Sequence, residues 1–299
     1  MNEISGVINL YKPKGISSQN AVSRVKYLLK VKKCGHAGTL DPAARGVLPI
    51  MVGSATKCSE LLMSEVKEYA AEFELGRTTD SFDNEGLTVT DIPKSSINLT
   101  KEEVVAAINS FLGDSMQLPP MFSAIQVNGK RLYKLARSGI EIERSKRPIS
   151  IFKIELENYD EASCTGRFFV CCSKGTYIRS LVSDIGEKLG CGAVMTGLER
   201  VKTGIFSALS SVTLENLEKE PLSYLIPVED CFPLFPKIIV EMFYITLMKN
   251  GQRILQQKLG INQKEDEYSL VYGDDGAFYG IGRGIILQGE LYLELYKKL

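Results

Sequence analysis

Residues 35–46 read GHAGTLDPAARG, and two readings compete for Asp41. Asp41 followed by Pro42, Ala43 and Ala44 has the form of a helix start. An aspartate carboxylate accepts the unpaired N–H groups of a first turn, and proline suits the first helical position because it lacks an N–H there. On those four residues alone, a helix capped by Asp41 is the expectation. The neighbours fit that less well. Gly35, Gly38 and Gly46 surround His36, the only histidine of the chain, and glycines at such density let backbone approach another group closely. On the second reading, Asp41 is a reacting carboxylate in a glycine-rich loop.

Outward from this loop the chain reads as strands and helices in alternation. Residues 4–11 form an apolar strand that enters the turn Lys12-Pro13-Lys14-Gly15. Ser17 or Ser18 then caps a helix with Val22, Val25, Leu28 and Leu29 on one face. Val47 to Val52 is apolar throughout. EYAAEFEL (68–75) alternates, with Tyr69, Ala71, Phe73 and Leu75 on one side, the pattern of a half-buried strand. RTTDSFDNEG (77–86) reads as a polar loop. Thr100 and Glu103 have capping-box spacing and open a helix that stops near Gly113. Residues 113–125 read as irregular and GRFFVCCS (166–173) as a strand. SKGTYIRSLVSDIGEKLG is a turn and then a helix, with Ile178, Leu181, Val182, Ile185 and Leu189 as its apolar stripe and Gly190 as its stop. Four prolines in residues 221–237 predict a linker. Short apolar runs separated by glycines in 238–299 predict a small closed β-domain.

A chain of 299 residues, 44% of them hydrophobic, is long enough for one large or two ordinary domains with a real core. No apolar run is long enough to span a bilayer. The seven cysteines include no C-x-x-C pair, and with a single histidine they offer no zinc pattern. Their odd number, with no secretion signal at the N-terminus, predicts free thiols in a reducing cytoplasm. Net charge is zero but segregated. Residues 1–67 hold ten basic and four acidic side chains, residues 68–115 three and ten, and residues 126–153 eight and two. Segregated charge is what an electrostatic footprint for a polyanion needs; a solvated basic face is the plain alternative.

Taken in order, KPKGISS (12–18), GHAGTLDPAARGVLPI (35–50), EYAAEFELGRTTDSFDNEG (68–86), PPMFSAIQVNGKRLYKLARSGIEIER (119–144) and GTYIRSLVSDIG (175–186) resemble the bacterial TruB family of tRNA pseudouridine-55 synthases over nearly the whole length. The C-terminal segment is similar, more loosely, to a short PUA domain. The resemblance implies an α+β fold. Residues 1–236 would form a mixed, largely antiparallel sheet with flanking helices, and a basic insertion at about 120–152 would grip the T arm of tRNA. A small PUA-like RNA-binding β-barrel would follow at 237–299. The implied reaction detaches uracil from C1′ of uridine-55, rotates it and rejoins it through C5, without cofactor or metal. The base must be flipped out of the folded T loop. A monomeric cytoplasmic enzyme is expected, with tRNA as partner and no membrane attachment.

By the same resemblance Asp41 is the catalytic aspartate and Arg179 the arginine that pairs with it. Tyr69 stacks on the target base and assists at C5. Tyr177 and Leu198 contact substrate, and His36 fills the gap left by the flipped nucleotide. Asp83 and Lys57 lie around the site. Lys12 is an expected RNA contact, as are Lys130, Arg131, Lys134 and Arg137, which share one side if their stretch is helical. Each has a plainer reading: Tyr69 as a core aromatic, Tyr177 and Leu198 as packing residues, Arg179 as an exposed helix arginine. Phe122 stands where the family often has tyrosine. Residues 237–299 carry eight basic and eight acidic side chains, less positive than an RNA-gripping domain would be. Three rival functions remain: an RNA-folding helper, a hydrolase using Asp41 with a second acid/base, and a synthase acting on guide-directed or ribosomal RNA.

Overall fold

The computed structural model describes residues 4–123, 125–127 and 129–299; the side chains of Val127, Lys130, Arg131, Tyr133, Lys134 and Arg137 lie outside that description. Strand β1 (Gly6–Lys12) leads into helix α1 (Ser18–Leu29). Ser17 is its cap, accepting from the Asn20 N–H at 3.1 Å, and Ala21, Val22, Val25 and Leu29 are buried on its inner face. Strands β2 (Cys34–His36) and β3 (Arg45–Val52) bracket the Asp41 loop.

No helix begins at Asp41. Pro42 and Ala43 form a turn, closed by the Ala44 N–H donating to the Asp41 carbonyl at 3.1 Å. The chain then enters β3, whose pairing with β1 and buried apolar run take precedence over the local helix signal. The helix-cap reading is therefore overturned.

After the short α2 (Ser59–Ser64) comes β4 (Lys67–Leu75), the alternating strand expected from its sequence. Residues 77–86 are less of a polar loop than expected. β5 (Arg77–Thr79) pairs with β6 (Thr88–Asp91), and Thr79, Ser81 and Asp83 are buried. α3 (Lys101–Asn109) has the expected capping box of Thr100 and Glu103 but ends at Asn109. β7 (Gly113–Gln117) replaces the expected irregular start of 113–125. It is a sheet edge, exposed at all but Gln117, and carries no apolar alternation to announce it. In the basic segment, β8 (Gln126–Val127) pairs with β9 (Lys130–Arg131), and only α4 (Leu132–Arg137) is helical.

β10 (Arg147–Asp160), β11 (Thr165–Cys172), α5 (Ile178–Lys188), β12 (Ala193–Thr203), β13 (Phe206–Ser207), α6 (Leu214–Lys219) and β14 (Leu225–Ile226) complete the larger unit. Its sheet runs β14-β1-β3-β12-β4-β11-β10-β7, with β2 on β3 and β13 on β12. Every pairing is antiparallel except β3 with β12. The expected mixed, largely antiparallel sheet is what forms. The main core packs Val22, Val104, Ile108, Leu181 and Ile185 of the helices against Ile8, Leu48, Phe73 and Phe168 of the sheet.

Residues 221–237 are not a free linker. β14 pairs with β1, and Val228, Cys231 and Phe232 join a second cluster with Val7, Val47, Met51 and Phe206 of the sheet's other side. The prolines break regular structure, but the apolar residues between them have a surface to bury against. Leu270 and Ile281 of the C-terminal unit enter the same cluster. That unit contains β15 (Lys237–Val240), α7 (Met242–Lys249), β16 (Ile254–Leu255), α8 (Gln256–Leu259), β17 (Tyr268–Gly273), β18 (Phe278–Leu287) and β19 (Glu290–Lys298). The strands curl in the order β15-β17-β18-β19-β16 as a small barrel-like domain. Two runs that read as separate, AFYGIG and GIILQG, are one strand, β18.

Candidate active site

Arg179, on the first turn of α5, is buried and reaches two carboxylates at once. Its Nη2 lies 3.0 Å from Asp41 Oδ2, and its Nη1 lies 3.2 Å from Asp83 Oδ2. It also donates to two carbonyls, Ser81 at 3.1 Å and Phe122 at 2.8 Å. A guanidinium holds its donors in a rigid planar fork, so four acceptors fix its plane and therefore the direction from which it meets Asp41. Asp83 is itself pinned. Its Oδ1 accepts from the Ser81 hydroxyl at 2.6 Å and from the Glu85 N–H at 3.1 Å. Between them Phe82 adopts φ +65°, a left-handed conformation that a bulky residue rarely takes. Its carbonyl accepts from Met195 of β12 at 3.1 Å, so the sheet holds the strained turn that aims Ser81 and Asp83 at Arg179.

The two carboxylates differ in access. The Asp83 side chain is 7% exposed and the Asp41 side chain 39%. Loss of solvent around the Asp41 carboxyl pushes its pKa above the ordinary range. Arg179 pulls it back most, Lys12 adds to that pull, and Asp83 opposes it. The result is a single oriented, approachable carboxylate that can attack carbon or accept a proton.

The other expected residues divide. Tyr69 on β4 is buried in the main core, so its packing role is real, and its hydroxyl pKa is raised by burial and lowered by the nearby Arg200. Leu198 on β12 is partly buried against that core, opposite Ala71 of β4. Tyr177 caps α5; its N–H donates to Gln117 Oε1 at 2.8 Å and its carbonyl accepts from Gln117 Nε2 at 3.0 Å. His36 on β2 lies opposite Ile50, and its buried Nδ1 has no hydrogen-bond partner. Burial and the charge of Arg200 lower its pKa, which favours the neutral ring.

Lys12, expected among the RNA contacts, is completely buried. Its ammonium donates to the carbonyls of Pro13 at 2.9 Å and Ile16 at 2.8 Å, and burial lowers its pKa to about 8. From within the fold its charge helps to lower the pKa of Asp41. Lys57, expected around the site, donates instead to the Lys298 carbonyl of β19 at 2.6 Å. The backbone carries Lys130 and Arg131 on β9 and Lys134 and Arg137 on α4. No single helix face unites them, and their side chains lie outside the described residues.

The sequence reading missed the Ser81 and Phe122 carbonyls, which no residue-type pattern could reveal. It also missed Arg200 and Lys67, whose buried charges lie beside the loop: an added Cβ on Gly38 would be 3.6 Å from Arg200 Nη1 and 3.7 Å from Lys67 Cε. A cavity of about 820 Å³ adjoins the Arg179 network, lined by Phe82, Met121, Phe122 and Ile140 among others, but Asp41 is not in its wall. Among the described residues no group of three or more His, Cys, Asp or Glu could hold a metal ion, and no helix is long and apolar enough to cross a membrane.

Comparison with known proteins bears on this geometry. A model of the TruB family pseudouridylate synthase N-terminal domain matches residues 26–178, and one of the tRNA pseudouridylate synthase B C-terminal domain matches 179–229. A relative named tRNA pseudouridine synthase B from Clostridium tetani is 45% identical over 281 residues, 94% of this chain and 96% of its own. Another of that name, from Saccharophagus degradans, is 40% identical over 287 residues, 93% of this chain and 91% of its own. Among solved structures, a chain of a Cbf5-Nop10-Gar1 complex matches with TM-score 0.73 and 24% identity, covering 98% of this chain and 87% of that one. At that identity the likeness shows the fold alone.

Proposed function

The chain belongs to the TruB family of pseudouridylate synthases, and from that premise we propose that it converts uridine-55 in the T loop of tRNA to pseudouridine, with Asp41 as the catalytic carboxylate. The observation that carries the proposal is the Arg179–Asp41 pair, in which a partly exposed carboxylate is held by a buried arginine that Asp83 also pairs. Heterolysis of the C1′–N1 bond leaves its electron pair on the pyrimidine. An ionised carboxylate can trap C1′ as an ester, remove the 2′ proton, or add to the ring first; each route needs Asp41 deprotonated. After rotation, C5 bonds to C1′ and the C5 proton leaves, so the isomerisation consumes nothing.

Tyr69, Tyr177 and Leu198 would wall the flipped base, while His36 would fill the space it leaves. Flipping costs a few kcal/mol, which stacking and backbone contacts must offset. The basic segment 126–153 would supply the contacts to the T-arm phosphates. The barrel-like unit, with its balanced charge, would contribute less.

The test is treatment of an unmodified tRNA transcript followed by chemical mapping of pseudouridine. Modification at position 55 is expected. Modification elsewhere overturns the site preference, and none at all overturns the activity. The 39% exposed, arginine-held Asp41 favours a catalyst over a folding helper, which would need no such carboxylate.

A further inference from the structure

Arg200 is a buried cation with no ion-pair partner among the described residues. It is 1% exposed and sits on β12, the strand between β3 and β4. Its register partners are Tyr69 on β4 and Gly46 on β3. Contact with β3 is so close that a Cβ on Gly46 would lie 2.3 Å from the Arg200 carbonyl oxygen. The guanidinium points toward the Asp41 loop: Nε donates to the Val47 carbonyl at 2.7 Å and Nη2 to the Gly38 carbonyl at 3.2 Å. None of the ion pairs among the described residues includes it, whereas Arg179 is neutralised twice over. Burial lowers the pKa values of the neighbouring bases Lys12, Lys67 and His36, those of both lysines to about 8, and the Arg200 charge adds to that lowering; the same charge opposes the rise that burial imposes on the Tyr69 hydroxyl.

Burying an unpaired charge costs several kcal/mol. Bracing two carbonyls does not require it, since a neutral amide donates hydrogen bonds as well. The charge therefore needs another use, and the reaction proposed above offers one. By every route the electron pair of the broken or attacked bond passes to the pyrimidine, spreading over its ring nitrogens and O2 and O4. It is consumed only when C5 bonds to C1′.

We infer that Arg200 is a positioning residue for this reaction, holding the Gly38 backbone and the Tyr69 side and setting a positive field behind the uracil ring while the ring carries that electron pair. The inference rests on the isomerase reading. It is separable from it, because wild-type turnover tests the activity and the variants test Arg200.

The experiment compares single-turnover rates on T-arm RNA hairpins containing uridine or 5-fluorouridine, read as loss of the starting nucleoside. Fluorine at C5 withdraws electron density and stabilises the same ring anion from the substrate side. Arg200→Gln should cut the uridine rate by about a hundredfold, the scale of losing one donor to a developing anion. Its RNA affinity should stay within about twofold, because the loss falls on the reacting state and not on binding. Its deficit should narrow with 5-fluorouridine. Arg200→Lys, which keeps the charge, should recover most of the uridine rate. A wild-type rate in folded Arg200→Gln overturns the inference, as does an equal deficit on both substrates, which a mere brace predicts. If Arg200→Gln does not fold, Arg200→Lys carries the test alone: its remaining deficit must shrink with 5-fluorouridine, and an unchanged deficit overturns the inference. A wild type that leaves uridine hairpins untouched overturns the activity and this inference with it.

Discussion

Asp83 and Arg179 form a buried ion pair, Oδ2 to Nη1 at 3.2 Å, and that pair holds the guanidinium while its other terminal nitrogen meets the more exposed Asp41. One carboxylate orients the cation and the second is oriented by it.

Asp41→Asn keeps the shape of the loop and removes the charge. Pseudouridine formation should disappear while binding of T-arm RNA stays within about twofold. Mass analysis of the variant excludes deamidation back to aspartate. Substantial turnover by the intact amide would show that Asp41 is not the reacting group.

Arg179→Ala leaves Asp83 buried and unpaired, so unfolding free energy should fall by about 3–5 kcal/mol in urea titrations. Turnover should fall far more than affinity. In the wild type Arg179 lowers the pKa of Asp41 against the rise caused by burial. Without it the carboxyl protonates at higher pH, so the acid limb of the rate profile should move upward in pH. An unmoved limb would mean that Asp41 does not control the rate.

Asp184 on α5 is partly desolvated, and its pKa is raised to about 6 by burial and by Glu187, with Lys146 opposing. Unfolded aspartate titrates near pH 3.9, so between about pH 4 and 6 the folded state holds the extra proton. The stability this contributes is present at low pH and lost as pH rises through the folded value. Asp184→Asn removes that loss. It should be more stable than wild type by about 1–2 kcal/mol at pH 7, the pKa difference discounted for partial exposure, with the gain vanishing below about pH 4. Urea unfolding at the two pH values checks it; no gain at pH 7 would contradict the assigned desolvation.

Changing Lys130, Arg131, Lys134 and Arg137 together to alanine should flatten the dependence of log affinity on log salt by about two to three units if most of them touch phosphate, at roughly 0.7–0.9 per contact. Turnover at saturating RNA should change much less, since Asp41 and Arg179 are untouched. A solvated basic face that meets no RNA predicts an unchanged slope. Binding measured across a salt series separates the two.

What the sequence determined by itself was periodic or stereochemical. The alternation of EYAAEFEL, the Thr100–Glu103 capping box, the Ser17 cap and the stripe of α5 are local, because side-chain period and capping depend on residues a few positions apart. The family motifs also singled out Asp41 and Arg179 as a pair. Only tertiary structure decided the rest. Pro42 starts a turn and not a helix because β3 pairs with β1 immediately afterwards. Residues 221–237 pack against the sheet because a partner surface exists for Val228 and Phe232. β12 went unread because Glu199, Arg200 and Lys202 interrupt its apolar pattern, and Lys12 reads as a surface lysine although it is completely buried. Buried charge follows no local period. Whether a cation is solvated, paired or walled in depends on which strands the sheet brings together, and that is settled by register between segments far apart in the chain.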